Sequence, residues 1–310
     1  MPFLILDIST MDLIKTNAAI LAAIFSLFAG NQQQNDIPQY DHVVVVIEEN
    51  HAYHELIGSI NAPYINQLAK GGVLFANSHG IGHPSQPNYL ALFSGSTQGV
   101  TGDECLEGKT PFKTPNLGEA LIDKHFTFKG YAQTMPSAGY LGCTYLSSSV
   151  TIGHLYARKH TPWVNWLGGG INCISLSCSV PMTDFPRDFA KLPTIAFVVP
   201  DMDNDMHNIG LSGDALAIRR GDNWLKDNLN EYAQWAKKHN SLLIVTFDED
   251  DYVSKNENRI PTLFYGAKLL PGEYKGSINH YNILHTLESM YGLTVTDNVV
   301  APPVGGIWGK

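Results

Sequence analysis

Three things are scarce in this chain, and each scarcity excludes something. No stretch reaches the roughly 18 unbroken apolar residues of a membrane-spanning helix, so a polytopic membrane protein is excluded. Positive charge is scarce: 20 Lys and Arg face 29 Asp and Glu, a net charge of −9, which argues against the basic face that a nucleic-acid groove requires. Cysteine is limited to Cys105, Cys143, Cys173 and Cys178, with no CxxC pair, so a structural zinc site is a poor fit. An even number of cysteines suits two disulfides in an exported protein. Cys173 with Cys178 would close a short loop and Cys105 with Cys143 a longer one. Spacing leaves the pairing open, and buried reduced thiols are the alternative.

The 44% of hydrophobic residues is ordinary for a globular protein and argues against disorder. A chain of 310 residues has room for one large α/β domain or two smaller ones. At the N-terminus an apolar run, Ala18 to Ala29, follows Lys15 and precedes Gly30 and a polar tract, Asn31 to Asp36. That is the outline of a secretory signal peptide, with Asp12 offsetting Lys15; an apolar helix packed on the domain is the alternative. Residues 1–35 are therefore read as signal and polar lead, and 36–310 as a single domain in a secreted or periplasmic protein.

Strand-like apolar runs recur along the remainder: His42–Ile47, Val73–Ala76, Phe126–Tyr131, Thr194–Val199 and Leu242–Phe247. Continuous runs of this kind fit buried parallel strands. Helical spacing appears over Asp222–Asn240, through Leu225, Leu229, Tyr232 and Ala236, and again over Tyr281–Tyr291. The alternation predicts a three-layer α/β/α sandwich around a mostly parallel sheet. Three of the runs end in acidic clusters: Glu48-Glu49-Asn50, Asp201 to Asp205, and Asp248 to Asp251. Ligands in open α/β sheets bind beyond the carboxyl ends of the strands, so these clusters should meet along one edge.

One further segment gives the clusters a purpose. His83-Pro84-Ser85-Gln86-Pro87-Asn88-Tyr89 follows a glycine-rich loop, Gly80-Ile81-Gly82, and leads into the apolar Leu90 to Gly95. Ser85 should stand at a helix N-terminus, where free N–H groups and the helix dipole favour an anion. A hydroxyl nucleophile attacking phosphate fits that place, and an ordinary N-cap serine is the bland alternative. Glu49, Asn50, Asp248 and Glu249 offer hard oxygen ligands for a divalent cation that Ser85 would share as an alkoxide. Zn, Ca, Mg and Mn all remain open. A solvated acidic loop is the plain alternative for Asp248–Asp251. His207 and His280 are candidates to assist the leaving group, or with Asp205 to hold a second ion. Arg158, Lys159 and His160, flanked by Tyr156 and Trp163, form a basic spot suited to phosphate.

Taken together and in order, these residues resemble the phosphoesterase family of bacterial acid phosphatases and phospholipases C, within the alkaline phosphatase superfamily. The likeness runs from about His42 to Leu293. Val43–Asn50 resembles the family's first strand with its Glu-Asn metal pair, and His83–Gly95 its nucleophile segment. Thr246–Asp251 resembles the second metal strand, while Asp205-Met206-His207 and His280–Leu284 resemble its histidine segments. The resemblance implies Ser85 as nucleophile, Asn88 as a ligand of a phosphoryl oxygen, and metal ligation by Glu49, Asn50, Ser85, Asp248 and Glu249. The superfamily's bimetallic members use more His and Asp ligands, so a second ion is less well supported than the first. The implied activity is metal-dependent hydrolysis of phosphate monoesters through a phosphoserine. A phosphodiesterase or phospholipase C acting on lipid head groups is the alternative, and a non-catalytic phosphate-binding protein is a third reading.

Overall fold

The computed structural model describes residues 37–252, 257–294 and 299–309. The expected signal segment lies outside the described residues. Gln39–Lys310 forms one unit built around a sheet. Its strands are β1 (His42–Glu48), β2 (Val73–His79), β3 (Phe128–Ala132), β6 (Ser179–Pro181), β7 (Ile195–Val199), β8 (Ser241–Phe247), β9 (Arg259–Gly266), β10 (Gly272–Tyr274) and β11 (Ile278–Asn279). Two short strands, β4 (Thr144–Ser147) and β5 (His154–Ala157), pair separately as an antiparallel hairpin. The order across the main sheet is β10-β2-β9-β8-β1-β7-β3-β6, with β11 also on β2. All its described pairings are parallel except those of β9, which runs against both β2 and β8.

Helices cover both faces, so the α/β/α sandwich expected from the alternation is the fold. On one face α2 (Pro63–Gly71) and α5 (Asp214–Ala236) pack Leu68, Leu225 and Leu229 against Val44, Val46, Val198 and Val245. On the other, Phe93 of α3 (Ser85–Ser94) meets Phe197 of β7 edge-on at 5.7 Å and Phe128 of β3 at 5.3 Å. A four-residue helix, α1 (Tyr53–Leu56), and the longer α4 (Leu117–Asp123) and α6 (His280–Met290) complete the set. These strands are apolar on both sides because both faces are covered.

β9 went unrecognised in the sequence for a physical reason. It carries Pro261, and proline is rare inside a sheet because it cannot donate to the ladder. Here it stands opposite a register shift in β2 between Phe75 and Ser78, and Arg259 Nε donates to the Ala76 carbonyl at 2.8 Å. α5 starts at Asp214, eight residues before the expected start at Asp222, and ends at Ala236 rather than Asn240. The two-disulfide expectation is corrected: Cys105 pairs with Cys143, whereas Cys173 and Cys178 are free thiols.

Candidate active site

The parallel strands deliver their carboxyl ends to one edge, where the polar clusters meet. Alternation along β1 separates two neighbouring acids. Glu48 shares the side of Val44 and Val46, under α5, while Glu49 shares the side of Val45 and Ile47, toward α3. Asn50 then adopts a left-handed φ of 50°, which asparagine tolerates better than most residues. Its backbone N–H donates to Asp248 Oδ1 at 3.1 Å, tying the ends of β1 and β8 together.

Ser85 is the first residue of α3, and its hydroxyl does not cap the helix. Its Oγ lies 3.2 Å from Glu49 Oε2, 3.3 Å from Glu249 Oε1 and 3.4 Å from Asn50 Oδ1. The bland N-cap reading is thus not the geometry observed. The loop before Ser85 passes close to the acids because residue 80 is glycine: a Cβ there would stand 2.8 Å from the Asp248 carbonyl oxygen. The Asp248–Asp251 segment is no solvated loop either, since Asp248, Glu249 and Asp250 are all buried.

Asn88 is engaged at both ends of its amide. Oδ1 accepts from the N–H groups of Ile81 and Gly82 at 2.7 and 3.1 Å, and Nδ2 donates to the Gly82 carbonyl at 2.8 Å and to Glu249 Oε2 at 3.3 Å. It holds the glycine loop against the acidic cluster. The Gln86 N–H, one of the helix-start donors, is already taken by Asp103 Oδ1 at 2.9 Å.

The basic spot divides. Arg158 turns its guanidinium to the Leu141 carbonyl (2.7 Å), Thr110 (2.7 Å) and Asn165 (3.1 Å), so its charge is spent on loop packing rather than at Ser85. Lys159 pairs with Asp103 at 2.6 Å. Burial pulls its ammonium pKa down, but Glu49, Asp103 and Asp248 outweigh that and hold it above its ordinary value. His160 is fully buried, 3.3 Å from Glu49 Oε1 and 3.4 Å from Asp205 Oδ2, and stacked on Tyr89. Burial, with Lys159 and His207 nearby, keeps this imidazole neutral.

The two expected histidines also part company. His207 lies beside His160, ring centroids 5.8 Å apart, with burial pulling its pKa to about 4. Asp205 Oδ1 accepts the His207 N–H at 2.9 Å. His280 opens α6 on the far side of Asp248, where Nε2 meets the Asp248 carbonyl at 2.7 Å, and burial takes its pKa to about 4 as well. Asp205, His207 and His280 do not gather. Among the described residues, the only three His, Cys, Asp or Glu side chains with ligand atoms all within 4.8 Å are Cys105, Glu107 and Cys143, whose sulfurs form the disulfide.

Sequence reasoning missed Tyr89, Asp103, His51 and His83. Tyr89 donates its hydroxyl to Glu49 Oε1. His51 Nδ1 meets the Glu49 carbonyl at 3.0 Å. His83 reaches Glu249 Oε2 at 3.0 Å and Asp250 Oδ1 at 3.2 Å. His83 and Tyr89 both stood inside the segment already singled out, but Tyr89 reads there as a core aromatic, and Asp103 as a loop acid.

The electrostatics test whether a cation suits this place. Burial, then the Asp248 charge, pushes Glu249 up to about 9; burial lifts Asp248 to about 6. Glu49 is raised well above the usual range by burial, then by Asp248 and Asp205. Asp248 Oδ2 is buried with no hydrogen-bond partner. Clustered carboxylates, one orphaned oxygen, an amide oxygen and a hydroxyl form a hard-donor set that fits a divalent cation.

The phosphoesterase family model matches residues 59–294. The chain belongs to the phosphoesterase family. This phosphoesterase is a hydrolase of phosphate esters. It is 44% identical over 277 residues to the phosphatidylinositol-3-phosphatase of Mycobacterium tuberculosis, covering 88% of this chain and 84% of that one. It is 30% identical over 285 residues to an acid phosphatase of Aspergillus fumigatus, but spans only 61% of that longer relative. A protein of the alkaline phosphatase superfamily from Vibrio parahaemolyticus superposes with a TM-score of 0.58 at 12% identity, covering 85% of this chain and 69% of that one. That likeness shows that the phosphoesterase has the superfamily's fold.

Proposed function

We propose that this phosphoesterase hydrolyses phosphate monoesters through a phosphoserine at Ser85. The observation that carries the reading is Ser85 Oγ, at a helix start, within 3.2–3.4 Å of oxygens from the ends of two separate strands. Glu49, Asn50, Ser85, Asp248 and Glu249 would hold a divalent cation. When bound, it supplies charge that favours an ionised serine and offsets the phosphoryl oxygens. Glu49, whose Oε2 lies 3.2 Å from Oγ, accepts the Ser85 proton as Oγ attacks phosphorus. The P–O bond to the alcohol breaks and the departing oxygen takes its proton from water, with neutral His207 on the Lys159 side of the cluster as a hydrogen-bonding neighbour. Water then cleaves the serine–phosphate bond, releasing orthophosphate. Asn88 keeps the glycine loop in place, and Lys159 offsets negative charge. His280 steadies the Asp248 carbonyl.

Two similarities support the monoester reading: the relatives named for phosphatidylinositol-3-phosphate and for acid phosphatase activity. The Cys105–Cys143 disulfide supports export to a periplasmic or extracellular space, because disulfides persist in oxidising compartments. Among the described residues no helix is long and apolar enough to cross a membrane. The test is Ser85→Ala with p-nitrophenyl phosphate. Turnover should fall by about three orders of magnitude or more, and acid-quenched wild-type protein should carry phosphate on Ser85. Near-wild-type turnover in the variant would sink the scheme. Faster turnover of bis(p-nitrophenyl) phosphate than of the monoester would transfer the site to diester chemistry.

A further inference from the structure

We propose that the turn of the β4–β5 hairpin, with Leu211 beside it, is a lipid-surface contact that seats the phosphoesterase on a neutral bilayer next to its candidate site. Ile152 on that turn and Leu211 are fully exposed, and Leu141, Tyr145 and Leu146, leading into the turn, are exposed as well. Single exposed apolar side chains are ordinary, but a cluster of them marks an interaction surface. The two tips form one patch. Asp203 accepts from Ser148 Oγ at 2.5 Å and from Asn208 Nδ2 at 2.6 Å, so one buried carboxylate holds both segments. A Cβ on Gly210 would fall 2.6 Å from Val150 Cγ1, so the segments touch. The hairpin also borders the site: Thr144, Gly153 and His154 line the same cavity, about 340 Å³, as Lys159 and Gln86, the residue after Ser85.

Two features favour lipid over a protein partner. The first is charge. From Gly130 to Ala157, and again from Met206 to Gly213, there is no Asp, Glu, Lys or Arg, in a chain that is 16% charged. Such a surface enters a bilayer boundary with no ion to desolvate, whereas a protein interface ordinarily keeps a polar rim. The net charge of −9 gives no attraction to anionic lipid, so apolar insertion is the driving force. The second is the backbone of the turn. The Ser148 N–H donates to the Gly153 carbonyl at 2.9 Å and the Ser149 N–H to Asp203 Oδ2 at 3.2 Å. The Val150 and Thr151 N–H groups donate to Ser148 Oγ at 2.9 and 3.0 Å, and the Gly153 N–H to Thr151 Oγ1 at 3.0 Å. A turn that stays in water has no need to satisfy its own amides, whereas a turn that leaves water must.

The contact is measured without turnover, so it stands or falls apart from the chemistry at Ser85. Sedimentation with phosphatidylcholine vesicles should carry down the wild-type protein, equally at low and at high salt. Ser85→Ala should bind the vesicles as wild type does. Ile152→Ser should weaken binding about tenfold, and Ile152→Ser combined with Leu211→Ser about a hundredfold, at unchanged Tm because both side chains are exposed. Turnover of soluble p-nitrophenyl phosphate by the double variant should stay within about twofold of wild type. Wild-type protein left in the supernatant, or a double variant that binds vesicles as wild type does, overturns the contact. A wild-type dimer that the double variant splits, with no binding to vesicles, assigns the patch to a second copy of the chain and overturns the lipid reading.

Discussion

Two adjacent glutamates at the end of β1 have opposite surroundings. Glu48 is buried beneath α5 with neither carboxylate oxygen paired, and burial, then Asp205 and Asp222, raise its pKa well above the usual range. Glu49 faces Ser85, Tyr89 and His160. A strand's twofold alternation makes that split, so Glu49 rather than Glu48 stands in the proposed site. Tyr89 then acts on Glu49 as an outer partner that orients a ligand. Such partners are typically worth 10- to 100-fold in metal affinity. Tyr89→Phe should therefore weaken divalent-cation binding by about that factor, read as a rightward shift in cation titrations of activity, while thermal stability changes little. An unshifted titration would remove Tyr89 from this role. Ser85, Glu49 and Asp248 were legible in the chain because prolines, glycines and strand ends mark them. Tyr89 was not, since a tyrosine inside an apolar helix looks like core until its hydroxyl is seen to meet an acid.

The segment carrying Lys159 and His160 is held in place by packing on β3. Trp163 lies on Gly130, where an added Cβ would fall 2.0 Å from the indole, and its Nε1 donates to Ser179 Oγ at 2.9 Å. Gly130→Ala should cost about 1–3 kcal/mol by overpacking, measured by chemical denaturation. It should also lower kcat, because displacing Trp163 moves His160 away from Glu49; an unchanged stability would show that the indole has room to shift. The strands that end at acids were readable from their apolar runs. β9 was not, because Pro261 is compatible with a sheet interior only where a neighbouring strand has the matching irregularity. The basic spot was readable as a segment, but its division was not: Arg158 and Lys159 point apart because a tight 3-10 turn, Arg158–His160, carries them.

For the molecule as a whole, the dominant fact is negative charge gathered in its interior edge. Carboxylates whose folded pKa is raised bind protons that the unfolded chain has released, so stability falls as pH rises between the two values. Glu249, raised to about 9, acts from the ordinary glutamate range up to that point. The histidines act oppositely. His207 and His280, lowered to about 4, make stability rise with pH between there and the ordinary histidine range near 6.5. The two effects compete below about pH 6.5, and above it the raised carboxylates, Glu249 with Glu48 and Glu49, act without that opposition. Chelated protein should therefore lose Tm steadily from about pH 6.5 to 9, and added divalent cation should reverse the loss. A flat Tm profile in chelator would contradict a metal role for this cluster. A cavity of about 550 Å³, lined by Phe126, Phe128 and Tyr131 among others, includes none of the candidate site residues.

The order of apolar runs and acidic strand ends, by itself, determined a covered, mostly parallel sheet with ligands at one edge. It did so because periodicity and strand polarity are local properties of the chain. The partners of Ser85, the neutral buried state of His160 and the retreat of His280 behind Asp248 were decided only by tertiary structure. Each depends on which way a side chain faces once distant segments pack together, and no local pattern encodes that.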